Sequence, residues 1–320
     1  MKSLSNIIKK NFIPLVFLST IVGLSVGQFF NVAPLKSYIP YTLFIIVFPM
    51  FLNVKFLDVI ELLKRPFPVV IGILINVIAI PLYSNFLGKL FFNSNPELFM
   101  GFLLIGLISS GAMTASWTGF ANGNVKSAVL MMSINLLISI LLIPIYLNLF
   151  MGTIIRVDNN LIFASLFKSV IMPLIIANVV RYLINRVKTE EFLNDLKSTF
   201  SLISSLGLFT VIFITLALKS RIILNDLQFT LSLFLPLLIF YTGIVIVCHI
   251  IGKRLLSKSD SIAFVYSVVL RNLKIALVIA LSISSDSMAS LIISLAILVQ
   301  HLLSAMYMNY VNTKISPELL

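Results

Sequence analysis

The sequence predicts an all-α membrane protein: ten transmembrane helices in two inverted five-helix repeats, with spans four and nine broken where they cross near the midplane. Three observations lead there. The 320 residues are 59% hydrophobic and 11% charged, with a mean hydropathy of +1.10, more apolar surface than a water-soluble domain could cover. The apolar residues fall into ten stretches, each near the ~20 residues that a ~30 Å hydrocarbon core requires. Short motifs of the first half also recur in the second at nearly constant separation.

In chain order the stretches cover residues 12–30, 38–53, 67–86, 98–120 and 125–150, then 162–183, 200–218, 229–251, 262–283 and 288–311. Lys2, Lys9 and Lys10 precede the first as they would a cleaved signal, but the stretch is long for a signal core. It also has a counterpart. Met172-Pro173-Leu174 follows Ile13-Pro14-Leu15 by 159 residues, Gly252-Lys253-Arg254 follows Gly88-Lys89-Leu90 by 164, and Arg271 follows Ser110 by 161. One membrane transport domain, 1–320, is therefore expected, with repeats at about 1–155 and about 156–320. Ala121-Asn122-Gly123-Asn124 joins spans four and five as a tight turn.

Charge orients the spans. With the N-terminus in the cytoplasm, fifteen cations lie inside, and only Lys36, Lys89, Arg156, Lys219 and Arg221 lie outside, as the positive-inside rule requires. Both termini are then cytoplasmic. An odd number of spans per half makes the repeats inverted, an arrangement of secondary transporters whose sites lie between broken helices. The net charge of +12 is thus assigned to orientation in the lipid bilayer and not to nucleic acid. A single cysteine, Cys248, with His249 and His301 as the two histidines, excludes an internal disulfide and a His- or Cys-built metal centre. No cofactor is expected.

Span nine holds the most informative residues. Arg271 and Lys274 lie mid-way along an apolar run, three residues apart and so on one helix face. A charge at the bilayer centre costs about 2.5–3.5 kcal/mol on insertion scales and marks a substrate path, the alternative being a structural pair satisfied by backbone carbonyls and water. The 11 acidic residues all fall in loops or termini, so the positive field at the midplane would attract an anion or repel a cation. Arg271 is expected to hold an anion as a fixed charge. Lys274 is expected either to gain and release a proton, since a buried lysine can lose its proton and arginine effectively cannot, or to stay charged and add to the anion site. Span four carries Ser109-Ser110-Gly111-Ala112-Met113-Thr114. Gly/Ser pairs let a helix kink, although small residues also serve ordinary helix packing. Ser110, Thr114 and Asn272 would line the crossing, with Asn135, Gln300 and His301 as further contacts.

At these residues the chain resembles a family. Gly106-Leu107-Ile108-Ser109-Ser110-Gly111-Ala112-Met113, then Trp117, Gly123-Asn124 and Asn135, is similar to the fourth and fifth spans of arsenite efflux carriers. Arg271-Asn272-Leu273-Lys274-Ile275-Ala276 resembles their ninth. These carriers belong with the bile acid:sodium symporters in one superfamily, and the resemblance implies ten spans, inverted repeats and two broken helices. The departures matter as much. The arsenite branch has a reactive cysteine at the place of Ser110 and a glutamate at that of Lys274. The sodium-coupled branch has a glutamate at the place of Ser267, a glutamine at that of Arg271, and polar ligands at those of Ala115, Ala128 and Met132; beyond Ser267, Thr114 alone keeps an oxygen.

The expected function is secondary transport of a small solute, an organic or inorganic anion, across the cytoplasmic membrane by alternating access, without sodium and with protons as the candidate coupling ion. Arsenite efflux is the competing transport reading, and a channel or ligand sensor on the same fold is the reading from another class. No nucleophile–base set or carboxylate pair lies in the spans, so an enzyme is not expected.

Overall fold

The computed structural model describes residues 11–52, 66–111, 113–152, 164, 167, 171–187, 190–283 and 288–315. Among them every extended element is helical. Helices α1 (Phe12–Phe29) and α2 (Ile39–Phe51) flank a 3-10 turn; α3 (Pro66–Leu74) runs through a π-helical segment, Ile75–Ala79, into α4 (Ile80–Phe92). Then come α5 (Pro96–Leu107), α6 (Met113–Phe120), α7 (Val125–Met151), α8 (Met172–Val187) and α9 (Glu190–Asn225). The chain continues through α10 (Leu227–Ser232), α11 (Phe234–Leu255), α12 (Lys258–Val269), α13 (Leu273–Ile283) and α14 (Met288–Tyr310). Among the described residues five stretches are individually long and apolar enough to cross a membrane: Phe67–Phe92, Val125–Met151, Leu202–Asn225, Leu227–Leu255 and Met288–Thr313.

Expected spans four and nine are each divided into two half-helices, α5/α6 and α12/α13. Expected span seven is the inner part of a much longer helix, α9. Asn53, Ala112 and most of 162–170 lie outside the described residues. The acids need one correction: Glu97 and Asp260 stand in the first turns of α5 and α12, not in loops, where the positive end of the helix dipole favours them. Glu190, Glu191 and Asp195 likewise belong to the start of α9.

The chain forms two compact units. The first comprises Met1–Lys55, Asp158–Thr230 and Leu277–Ser294. Within it α1 and α2 pack along α9 through small residues: a Cβ on Gly27 would stand 2.0 Å from the Ala217 carbonyl oxygen, and one on Gly23 2.7 Å from that of Phe213. Glycine there lets the two backbones touch, the usual device for packing helices in lipid.

The second unit comprises Phe56–Val157, Leu231–Ala276 and Leu295–Leu320. In it α4 packs on α5, α11 on α12, and α7 on α12, α6 and α3. Pro81 has no N–H to offer the Val77 carbonyl one turn earlier; the Tyr146 hydroxyl donates to that carbonyl instead, and the helix widens into its π segment beside it. Asn122, with φ of 56°, takes the left-handed conformation in the turn between α6 and α7, as asparagine tolerates. Asn124 caps α7, accepting from the Ser127 N–H at 3.2 Å. The Asp260 carboxylate accepts from Asn124 Nδ2 and Ser127 Oγ, both at 2.7 Å, so one acid joins the starts of α7 and α12.

Candidate functional site

The site lies in the second unit, where α5/α6 and α12/α13 break. A broken helix leaves backbone groups without partners, and here the two breaks satisfy each other. Ser110 and Arg271 form an isolated antiparallel bridge. Gly111 N donates to Leu270 O at 2.7 Å, and Asn272 N to Ser109 O at 2.8 Å. Gln300 in α14 completes the pairing like a third strand: its Oε1 accepts from Arg271 N at 2.8 Å and its Nε2 donates to Arg271 O at 3.3 Å. Tyr241 donates to the same Oε1 at 3.2 Å. Ser110 Oγ donates to the Ser267 carbonyl, whose helical donor, the Arg271 N–H, is turned to Gln300.

Arg271 is 2% exposed. Its guanidinium donates through Nε to Ile105 O at 3.2 Å, through Nη1 to Val268 O at 3.1 Å and to Asn76 Oδ1, and through Nη2 to Gly106 O. Ile105 and Gly106 lie in the last turn of α5 and Val268 in the last turn of α12. The side chain therefore caps the C-terminal ends of both first half-helices.

The opposite ends look different. Helices α6 and α13 begin at the breaks, so their positive dipole ends open there. Thr114 N donates to Gly111 O at 3.0 Å, and Asn272 supplies the carbonyl that opens α13. Lys274, half-buried in the first turn of α13, adds a cation where the dipole already disfavours one. An anion in this place would relieve both charges. The Lys274 charge also acts on the imidazole of His301. His301 is 5% exposed; its Nδ1 lies 2.8 Å from Ile297 O and its Nε2 3.2 Å from Met113 Sδ, beside Thr114.

Unsatisfied polar atoms gather nearby. Thr114 Oγ1, Trp117 Nε1 and Thr118 Oγ1, on one face of α6, have no hydrogen-bond partner among the described residues. Neither does either side-chain atom of Asn135, which lines a cavity of about 10 Å³ with Asn76, Ser109, Ser139 and Tyr146, room for roughly one water.

The structure thus brings Ser110, Arg271, Asn272 and Gln300 into direct contact at the bridge and places Thr114, Lys274 and His301 at the starts of the second half-helices. Asn135 makes none of the hydrogen bonds of the bridge and shares the small cavity with Asn76 and Ser109. Asn76 is the residue the sequence reading passes over. Its signal was an amide midway along an apolar run, the feature that marks Asn135. Among the described residues no group of His, Cys, Asp and Glu is arranged to hold a metal.

Residues 40–226 match the family described as the Sodium Bile acid symporter family. The chain is 24% identical over 291 residues to the uncharacterized protein YbaS of Bacillus subtilis, a match covering 90% of this chain and 92% of that one. It is 28% identical over 167 residues to the uncharacterized sodium-dependent transporter YocS of the same organism, covering 52% and 51%. To the arsenical-resistance protein Acr3 of Alkaliphilus metalliredigens it is 22% identical over 241 residues, covering 68% of each chain.

Proposed function

Because the chain belongs to the Sodium Bile acid symporter family, and so is a multi-pass membrane protein and a secondary transporter rather than an enzyme, we propose that it carries a small anion by alternating access without sodium. The observation that carries this reading is the concentration of positive charge at the helix breaks. Lys274 stands in the first turn of α13, three residues after Arg271, and the residue before that helix, Asn272, lies against Gly111 just ahead of α6. Arg271 acts on the solute through its field, since protein oxygens take its hydrogen bonds. Thr114 and Asn272 supply neutral polar contacts, Ser110 and Gln300 hold the bridge, and Asn135 and His301 are further contacts. Lys274 is the proposed proton carrier.

YocS is described as sodium-dependent. For this chain we set sodium aside, because a guanidinium among the carbonyls of the crossing opposes a second cation there. The ten-span inverted topology, with cytoplasmic termini, belongs to the same proposal. It is supported by the 161-residue spacing of the two breaks and by the make-up of the units, each of which, apart from Leu277–Ser294, draws corresponding helices from both halves. Similarity to Acr3 supports a second reading, efflux of neutral arsenite with hydroxyls in place of a thiol.

The test is uptake by proteoliposomes against a panel of small anions and arsenite, with sodium and pH gradients imposed separately. Saturable anion transport that is unchanged when potassium or choline replaces sodium is the expected result. A saturable, stoichiometric sodium requirement would overturn the sodium-free mechanism. Transport of arsenite alone would select the second reading. Ionic currents beyond carrier rates would point to a channel, and binding without movement to a sensor.

A further inference from the structure

Were span nine one continuous helix, the N–H groups of Arg271, Asn272 and Leu273 would donate to the carbonyls of Ser267, Val268 and Val269, four residues back. In the structure all three pairs are exchanged. The Ser267 and Val268 carbonyls accept from Ser110 Oγ and Arg271 Nη1. The Val269 carbonyl accepts from Arg271 N at 3.0 Å, across an inverse γ-turn whose central residue, Leu270, has φ of −82° and ψ of 84°. Asn272 N turns to Ser109 O at 2.8 Å and Leu273 N to Arg271 O at 2.9 Å. Those acceptors belong to the breaks themselves. Of the three displaced donors, Arg271 N is the one that reaches outside the two breaks, to Gln300 Oε1 of α14.

That carboxamide can lie only one way round. Arg271 N–H only donates and Arg271 O only accepts, so Oε1 faces the first and Nε2 the second. The Tyr241 phenol, 3.2 Å from Oε1, is then the donor, and both lone pairs of Oε1 are used. Tyr241 is fully buried in α11, its ring set edge-on to Phe240 with centroids 5.2 Å apart. Phe240 in turn meets Phe102 of α5 and Tyr83 of α4, so the phenol is held from several helices. We infer that Tyr241 is a positioning residue for transport: through Gln300 it withholds the Arg271 N–H from the Ser267 carbonyl and so keeps span nine open. What it positions is the start of α13, where Asn272 supplies the opening carbonyl and Lys274 stands in the first turn. The role in transport rests on the crossing being the solute site; the hold on the break does not, and it is measured without a solute.

The experiment reads backbone hydrogen exchange, peptide by peptide, in the full-length protein in detergent. Tyr241→Phe keeps the ring and removes only the hydroxyl. Peptides covering 109–111 and 270–273 should exchange about fivefold faster, the worth of one neutral hydrogen bond, while peptides of α4 and α7 keep the parent rate. Tyr83→Phe is the control: its hydroxyl also bonds α11, donating to Ile239 O at 3.0 Å, and its loss should leave the break unchanged. Gln300→Leu should loosen the break further, and adding Tyr241→Phe to it should add nothing, because the phenol acts through that amide. Parent-like exchange at the break in Tyr241→Phe would overturn the inference, as would a rise spread evenly along the chain or a matching rise in Tyr83→Phe. So would an effect of Tyr241→Phe that survives undiminished beside Gln300→Leu. The two tyrosine variants decide the matter alone if Gln300→Leu does not fold.

Discussion

At the scale of single residues, the two cations three positions apart have different surroundings. The donors of Arg271 are spent on protein oxygens, while Lys274 sits at the opening of α13 with His301 in its field. Lys274→Gln should therefore abolish accumulation driven by a pH gradient yet leave solute exchange; accumulation with an unchanged pH dependence would remove its coupling role. Asn135 offers a contrasting case. Both its polar atoms are buried and unpartnered, and each such atom costs about 1–3 kcal/mol. Asn135→Leu, with the same branching and number of side-chain heavy atoms, should leave the unfolding midpoint unchanged or higher while cutting transport about tenfold or more, ~1.4 kcal/mol per decade. Lost stability with full transport would make Asn135 a packing residue. The sequence displayed these residues because charge and amides stand out in apolar runs. It could not display which oxygens Arg271 meets, because Ile105, Gly106 and Val268 contribute backbone carbonyls and those look alike in every residue. Asn76 was visible by the same criterion as Asn135, but its importance depends on a contact 195 residues away.

At the scale of elements, the breaks are held by close approach of backbone to backbone. A Cβ on Gly111 would lie 3.1 Å from Arg271 O and 3.3 Å from Asn272 Cα, and neither atom can retreat without parting the bridge. Gly111→Ala should cost about 1–3 kcal/mol, the usual penalty of overpacking, and should slow transport. Gly119→Ala is the control: its Cβ would meet only Val125 Cγ2, at 3.5 Å, and alanine is the better helix former by roughly 1 kcal/mol. Equal effects at both glycines would mean that the contact at the bridge is unimportant. The breaks were legible in the sequence through Ser109-Ser110-Gly111 and its spacing to Arg271. The reach of α9 was not, because helical propensity continues across 190–199 and 219–225, beyond the apolar part. The π segment was also hidden, since Pro81 determines it only together with Tyr146, which lies 69 residues from Val77.

At the scale of the molecule, orientation follows from charge and can be read directly. Cys248 is 1% exposed and gives little background to thiol labelling. A cysteine at Ser37, which is exposed, should react with an impermeant maleimide added to intact cells, whereas one at exposed Lys258 should react only after the membrane is opened. The reverse pattern would invert the proposed topology. The fixed charge of Arg271 at the crossing then has an electrical consequence. A dissolved counter-ion would travel with the solute, but Arg271 remains behind. An anion moved without a proton therefore carries net charge, and the membrane voltage does work on it of about 2.3 kcal/mol per elementary charge per 100 mV. Across a cell membrane that is negative inside, this work pushes the anion outward and resists its entry. A proton taken up at Lys274 in the same cycle cancels it, so the response to an imposed voltage separates an electrogenic exporter from an electroneutral proton–anion carrier.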